Sequence, residues 1–168
     1  MTTHEDIIRD LGDTKVDEYW SRRKDAVIFE QIGEAELEFE SWQFHLVGVW
    51  RHIESGLLFY GYDSGCSCPS PWEATKLSHL QPLRSYQDWL DVQSELLGPT
   101  PEELKAQREQ GELVFDYKIR DAETTRPRRV DELERLRVQV EQAFKDLKRK
   151  QVLAQIVEDH RDALDQLD

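Results

Sequence analysis

Trp42-Gln43-Phe44-His45-Leu46-Val47-Gly48-Val49-Trp50-Arg51-His52-Ile53, then Glu54-Ser55-Gly56, then Leu57-Leu58-Phe59-Tyr60-Gly61-Tyr62, is the stretch that decides the fold of this 168-residue chain. Successive side chains of a strand point to opposite faces. That alternation puts Trp42, Phe44, Leu46 and Trp50 on one face and His45, Val47, Val49 and Ile53 on the other. Gly56 supplies the conformational freedom for a turn after Glu54 and Ser55, and the aromatic run from Leu57 to Tyr62 suits a return strand. The reading is an antiparallel hairpin over 42–62 at the centre of a small sheet.

Upstream, Leu37 and Phe39 alternate with Glu36, Glu38 and Glu40, the period of a strand with one wet face. Ala26-Val27-Ile28-Phe29 reads as a further short strand, following Tyr19-Trp20 and the basic triplet Arg22-Arg23-Lys24. Thr3 with Asp6 three residues on is a capping pair for a short amphipathic helix through Ile7, Ile8 and Leu11, ended by Gly12. Downstream, Ser85 and Asp88 cap a helix over 86–97 that Gly98-Pro99 closes. Thr100-Pro101 starts another that runs to Gly111. The segment 113–119, with Val114, Phe115, Tyr117 and Ile119 as its apolar members, reads as a last strand.

After Arg126-Pro127-Arg128-Arg129 the pattern changes. Leu133, Leu136, Val140, Ala143, Leu147, Ala154, Val157 and Leu164 recur at spacings of three and four, interrupted by Lys150 and Arg161. A helix over 130–167 would be about 55 Å long, more than the rest of the chain can cover. It therefore projects, breaks near Lys150-Gln151, or pairs with another chain. Covering such a stripe is worth about 0.8 kcal/mol per CH₂. The expectation is a coiled-coil homodimer through a face that includes Leu136, Val140 and Leu147, with docking on the sheet as the alternative. The fold class is thus α+β. Residues 1–125 form one domain with the core hairpin 42–62 and a cysteine loop 63–73, and 126–168 form a long C-terminal helix.

Charge narrows the function. A formal net charge of -13 opposes binding to phosphate backbones, which needs clustered Lys and Arg; solubility alone accounts for such a charge, and a charged partner, if the protein has one, is expected to be basic. Segment 41–80 holds 3 acids and 2 bases, together with both cysteines and Trp42, Trp50 and Trp72, so the core and any site belong there. No apolar run reaches the roughly 20 residues of a membrane span, and Met1-Thr2-Thr3-His4-Glu5-Asp6 lacks the features of a signal peptide. A cytoplasmic protein without membrane contact is expected, its two cysteines reduced.

The loop Asp63-Ser64-Gly65-Cys66-Ser67-Cys68-Pro69-Ser70-Pro71-Trp72-Glu73 is open to three readings. It is a scaffold, with Asp63 and Ser64 bonding nearby amides and the prolines holding an extended path. It is a zinc site using Cys66 and Cys68 with histidines among His45, His52 and His79. Or it carries thiol chemistry, although the usual Cys-x-x-Cys spacing is absent. No phosphate-cradling glycine loop, Gly-x-Ser-x-Gly elbow or His-Glu-x-x-His occurs, so a non-enzymatic role is the expectation, with no cofactor unless zinc.

The run from Trp50 through Leu57-Leu58-Phe59-Tyr60-Gly61-Tyr62 into the Asp-Ser-Gly-Cys-x-Cys-Pro loop, with Leu77, Leu80 and the helix start at Ser85, resembles a family of uncharacterised small proteins from phages of actinobacteria. The resemblance spans about residues 41–95 and implies a setting but no mechanism. In that setting a small acidic protein is expected to bind a host or phage factor. The contact would be an acidic surface at Glu30, Glu34, Glu36, Glu38 and Glu40, or the C-terminal helix through Leu136, Val140 and Leu147. A virion or assembly component is a further alternative.

Overall fold

The computed structural model describes residues 1–16, 22–23, 26–39, 42–66 and 71–165. Helix α1 (His4–Leu11) opens with the capping box its sequence predicts: the Asp6 amide donates to Thr3 Oγ1 at 3.2 Å and the Thr3 amide to the Asp6 carboxylate at 3.0 Å. Two short strands follow, β1 (Arg22–Arg23) and β2 (Ala26–Val27), paired antiparallel with each other. The main sheet comprises β3 (Phe29–Glu38), β4 (Gln43–His52), β5 (Leu58–Cys66) and β6 (Gln81–Leu83), antiparallel and in that order, so β3 lies at an edge. Helices α2 (Tyr86–Leu97), α3 (Pro101–Glu109), α4 (Asp116–Thr124) and α5 (Arg126–Asp165) complete the chain. This is an α+β arrangement.

The central hairpin pairs as its alternation predicts, with Trp50 opposite Phe59 and Val47 opposite Tyr62. Both faces of β4 are apolar because both are covered. Phe44, Leu46 and Trp50 join Phe29, Phe59, Trp72 and Leu77 under α1. Val47 and Val49 join Ala35, Leu58, Leu83, Trp89 and the α5 residues Leu133, Leu136, Val140 and Ala143. Trp42 and Ile53, placed on those faces by simple alternation, lie beyond the strand ends and are exposed. β3 changes face along its length: bulges between Gln31 and Gly33 and between Glu36 and Glu38 let Phe29 serve the α1 side while Ala35 serves the α5 side.

Gly56, at φ +81°, closes the hairpin turn, its amide donating to the His52 carbonyl at 2.7 Å. His52 Nδ1 accepts the Ser55 amide at 3.3 Å and lies 2.8 Å from Ser55 Oγ, which requires an unprotonated Nδ1. On the same sheet His4 Nε2 donates to the Leu58 carbonyl at 3.0 Å. Both rings are buried, and burial lowers both pKa values from the ordinary 6.5. The fold holds the neutral imidazoles, so on acidification the unfolded chain takes up protons first. This contribution to stability is complete above about pH 6.5 and is lost as pH falls through that value towards the depressed folded ones. The expected result is a Tm that drops between pH 7.5 and 5, with a shallower drop in the His4→Gln, His52→Gln variant. An identical slope in the two proteins would assign the loss to other groups. Asp6, Asp88 and Glu103, held low by their capping hydrogen bonds, act only at more acidic pH.

The strand expected over 113–119 does not form. Its alternation is short, and a helical period competes with it: Ile119 and Ala122, three apart, face Leu104 of α3 and Val114 as a small cluster. Phe115 and Tyr117 turn outward and stack on each other at 5.9 Å. Arg108 fixes the entry to α4 by donating to the Val114 carbonyl at 2.7 Å and to Asp116 at 2.8 Å.

α5 is a single helix of 40 residues, about 60 Å long, with no break near Lys150-Gln151. Its first half docks on the sheet of its own chain. Leu136 and Val140, expected at an interface between two chains, are fully buried there, and Leu147 is 9% exposed. The coiled-coil reading of these three residues is therefore corrected, and the docked alternative holds as far as Leu147. Close approach requires Gly33, where a Cβ would stand 3.0 Å from Leu136 Cδ1. Lys150 marks the end of docking, its ammonium donating to the carbonyls of Ile53 and Glu54 in the hairpin turn.

Candidate functional site

The cysteine loop is organised by its acid and its tryptophan. Asp63 accepts the Ser64 amide at 2.9 Å with one carboxylate oxygen and the Trp72 amide at 2.7 Å with the other, clasping both ends of the loop. Trp72 sits at φ +68°, a left-handed conformation that costs a bulky residue about 1–3 kcal/mol and persists only when its surroundings hold it. Here the indole is buried, meets Trp50 edge-on at 4.6 Å, and donates from Nε1 to Glu34 at 2.6 Å. Gly48 makes the room: a Cβ there would come within 2.4 Å of the Trp50 ring and 2.9 Å of Trp72.

Cys66 ends β5 opposite Gln43 and is exposed. Cys68 lies outside the described residues. The histidines weighed as its co-ligands are dispersed. His45 lies opposite Ser64 and 3.4 Å from Glu38, His52 is at the far end of β4, and His79 Nδ1 accepts the Lys76 amide at 3.2 Å. Among the described residues no group of three or more His, Cys, Asp or Glu side chains is placed to hold a metal.

The acidic stretch is divided by the bulges of β3. Glu30, on the α5 side, pairs with Arg51 at 2.5 Å. Glu34, on the opposite side, holds Trp72 and accepts from Gln31 at 2.9 Å. Glu36, opposite Leu46, shares that side, Glu38 lies beside His45, and Glu40 is outside the described residues. The glutamates therefore do not form one acidic face.

The second half of α5 differs from the first. From residue 151 to 162 every side chain is exposed. The apolar residues Val152 (52%), Leu153 (63%), Ile156 (48%) and Val157 (69%) fall at spacings of one, three and four, and so form one continuous row. Basic residues Lys145, Lys148, Arg149 and Lys150 precede the row, and Glu158, Asp159, Asp162 and Asp165 follow it. Of these row residues the sequence pattern singles out only Val157. The available signal was the recurrence of adjacent β-branched or leucine pairs beyond Lys150, 152/153 and 156/157, four residues apart.

No described helix is long and apolar enough to cross a membrane. A small antiparallel sheet, covered on both faces and carrying a long helix that outruns it, defines an α+β domain with a projecting arm. The profile of a family described as a domain of unknown function, DUF7574, matches residues 21–114, more than half of the chain, and the chain belongs to that family. The match contains the sheet, the cysteine loop, α2 and α3, and stops before α4 and α5. No curated protein and no solved structure matches the chain.

Proposed function

We propose that this is a non-enzymatic phage protein that acts by protein–protein contact and self-associates through the free half of α5. The observation that carries the reading is the exposed row Val152, Leu153, Ile156 and Val157 on a helix that has left its own sheet. Apolar side chains in one continuous row favour burial against a second surface.

The occupant is a second copy, laid antiparallel. A twofold axis between Ala154 and Gln155 sets Leu153 opposite Ile156 and Val152 opposite Val157 of the other copy. In this register Lys150 falls opposite Asp159, Lys148 opposite Arg161 is adverse, and Lys145 and Arg149 fall opposite Leu164 and His160, so the apolar pairing and not charge sets the register. The pair would then present two acidic domains to a basic host or phage factor, a setting supported by the resemblance of residues 41–95 to phage proteins.

Light scattering after gel filtration tests it. At tens of micromolar the full chain is expected at twice the mass of one chain, and the Leu153→Glu, Ile156→Glu variant at the mass of one, with unchanged circular dichroism. A single-chain mass for the parent protein at that concentration overturns the reading.

A further inference from the structure

In a chain of net charge -13, one cleft collects cations. It is an open cleft of about 800 Å³ where α4 meets α5, walled by Phe39 just after β3, by Leu97 at the end of α2 and Pro99 beyond it, and by Leu104 and Tyr117. Lys118, Arg126, Arg128 and Arg129 line it, with Glu38 and Asp121 as its acids.

The four cations are not equivalent. Arg129 is structural: its Nε donates to the Leu37 carbonyl at 2.8 Å, one terminal nitrogen donates to the Leu97 carbonyl at 3.3 Å, and the other lies 3.6 Å from Asp121. Arg126 donates from Nε to the Gly98 carbonyl at 3.2 Å, and among the described residues its terminal nitrogens make no hydrogen bond, though its charge also acts on Glu103 of α3. Arg128 makes a cation–π contact with Phe39, its guanidinium carbon 3.8 Å from the ring centre. That contact restrains the guanidinium on the aromatic face, and among the described residues its N–H groups make no hydrogen bond. Asp121 is matched with Arg129, and Arg126 also acts on Glu103 of α3, so among the described lining residues the four cations Lys118, Arg126, Arg128 and Arg129 stand against two acids, Glu38 and Asp121.

We propose that this cleft is a binding site for a phosphate-bearing small molecule of nucleotide size. Lys118, Arg126 and Arg128 would hold its phosphates, and Leu97, Leu104 and Tyr117 would wall its apolar part. A guanidinium restrained on an aromatic ring suits bidentate bonding to a tetrahedral anion, and several cations around one group favour multiply charged phosphate over a single carboxylate. The volume lies within the roughly 300–1,000 Å³ of small-molecule sites. The strongly negative remainder of the protein disfavours a long polyanion such as nucleic acid, which would extend past the cleft.

ADP and inorganic pyrophosphate, each titrated into the full chain by calorimetry at low ionic strength, test the proposal, alongside a Glu-rich peptide. The second protein is the Lys118→Gln, Arg128→Gln variant, whose altered side chains are exposed and make no hydrogen bond within the described residues. ADP is expected to bind more tightly than pyrophosphate and to raise Tm. The variant should keep the parent's Tm without ligand and bind ADP about tenfold more weakly or worse, as loss of charged hydrogen bonds implies. Absence of ADP and pyrophosphate binding at millimolar concentration overturns the proposal. So does equal binding by the two proteins, or binding of the peptide in place of ADP. The free half of α5 takes no part in this site, so the result is independent of the oligomeric state.

Discussion

Leu136→Ala is expected to lower the free energy of unfolding by about 2–5 kcal/mol, while Val138→Ala, two residues along the same helix, changes it by less than about 0.5 kcal/mol. Leu136 is fully buried where α5 lies on β3, against Gly33. Removing its branched end opens a cavity between a helix and a sheet that are each held by their own hydrogen bonds, so little collapse can fill it. Val138 is 57% exposed on the outer side. Urea denaturation followed by circular dichroism measures both, the midpoint moving in Leu136→Ala with the slope unchanged. Equal losses at the two positions would mean that α5 does not present this face to the sheet.

Trp72→Ala is expected to cost about 3–5 kcal/mol, because it removes the largest side chain bridging the cysteine loop to β4 and leaves Glu34 without its indole donor. The diagnostic comparison is Trp72→Gly. Glycine ordinarily destabilises relative to alanine through backbone entropy, by roughly 0.5–1 kcal/mol. At φ +68° the order should invert, since glycine enters the left-handed region freely and alanine does so at about 1–2 kcal/mol. Denaturation midpoints in the order parent, Trp72→Gly, Trp72→Ala would support this. Alanine above glycine would show that the backbone at this residue is not held left-handed.

The hairpin was legible because alternation over Phe44 to Trp50 and a glycine at the turn are local signals that agree. The caps at Thr3, Ser85 and Thr100 were legible for the same reason, each being complete within four residues. α4 was not, because the aromatic pair Phe115 and Tyr117 imitates a strand while the residues it buries, Ile119 and Ala122, are few. Periodicity marked the apolar face of α5 but could not say what covers it, since a sheet and a second helix ask for the same stripe. The cysteine loop drew notice for its thiols. Within its described part the structural roles belong to Asp63 and Trp72, whose partners Glu34 and Trp50 are distant in sequence. The arginine cleft was not legible: Arg126, Arg128 and Arg129 read only as the stretch before the long helix, since the walls come from residues near 38, 98 and 118 and no spacing rule joins them.

The position of β3 has a consequence for what the sheet can become. An edge strand of ten residues carries a row of main-chain groups that another molecule can extend, the usual route to runaway cross-chain assembly. Two bulges interrupt that row, so a straight incoming strand loses register after a few residues. Glu30, Glu34, Glu36 and Glu38 add like-charge repulsion wherever two such edges meet. A run that reads in sequence as bait for a basic partner thus has, on this edge, the composition of a gatekeeper against a fifth strand.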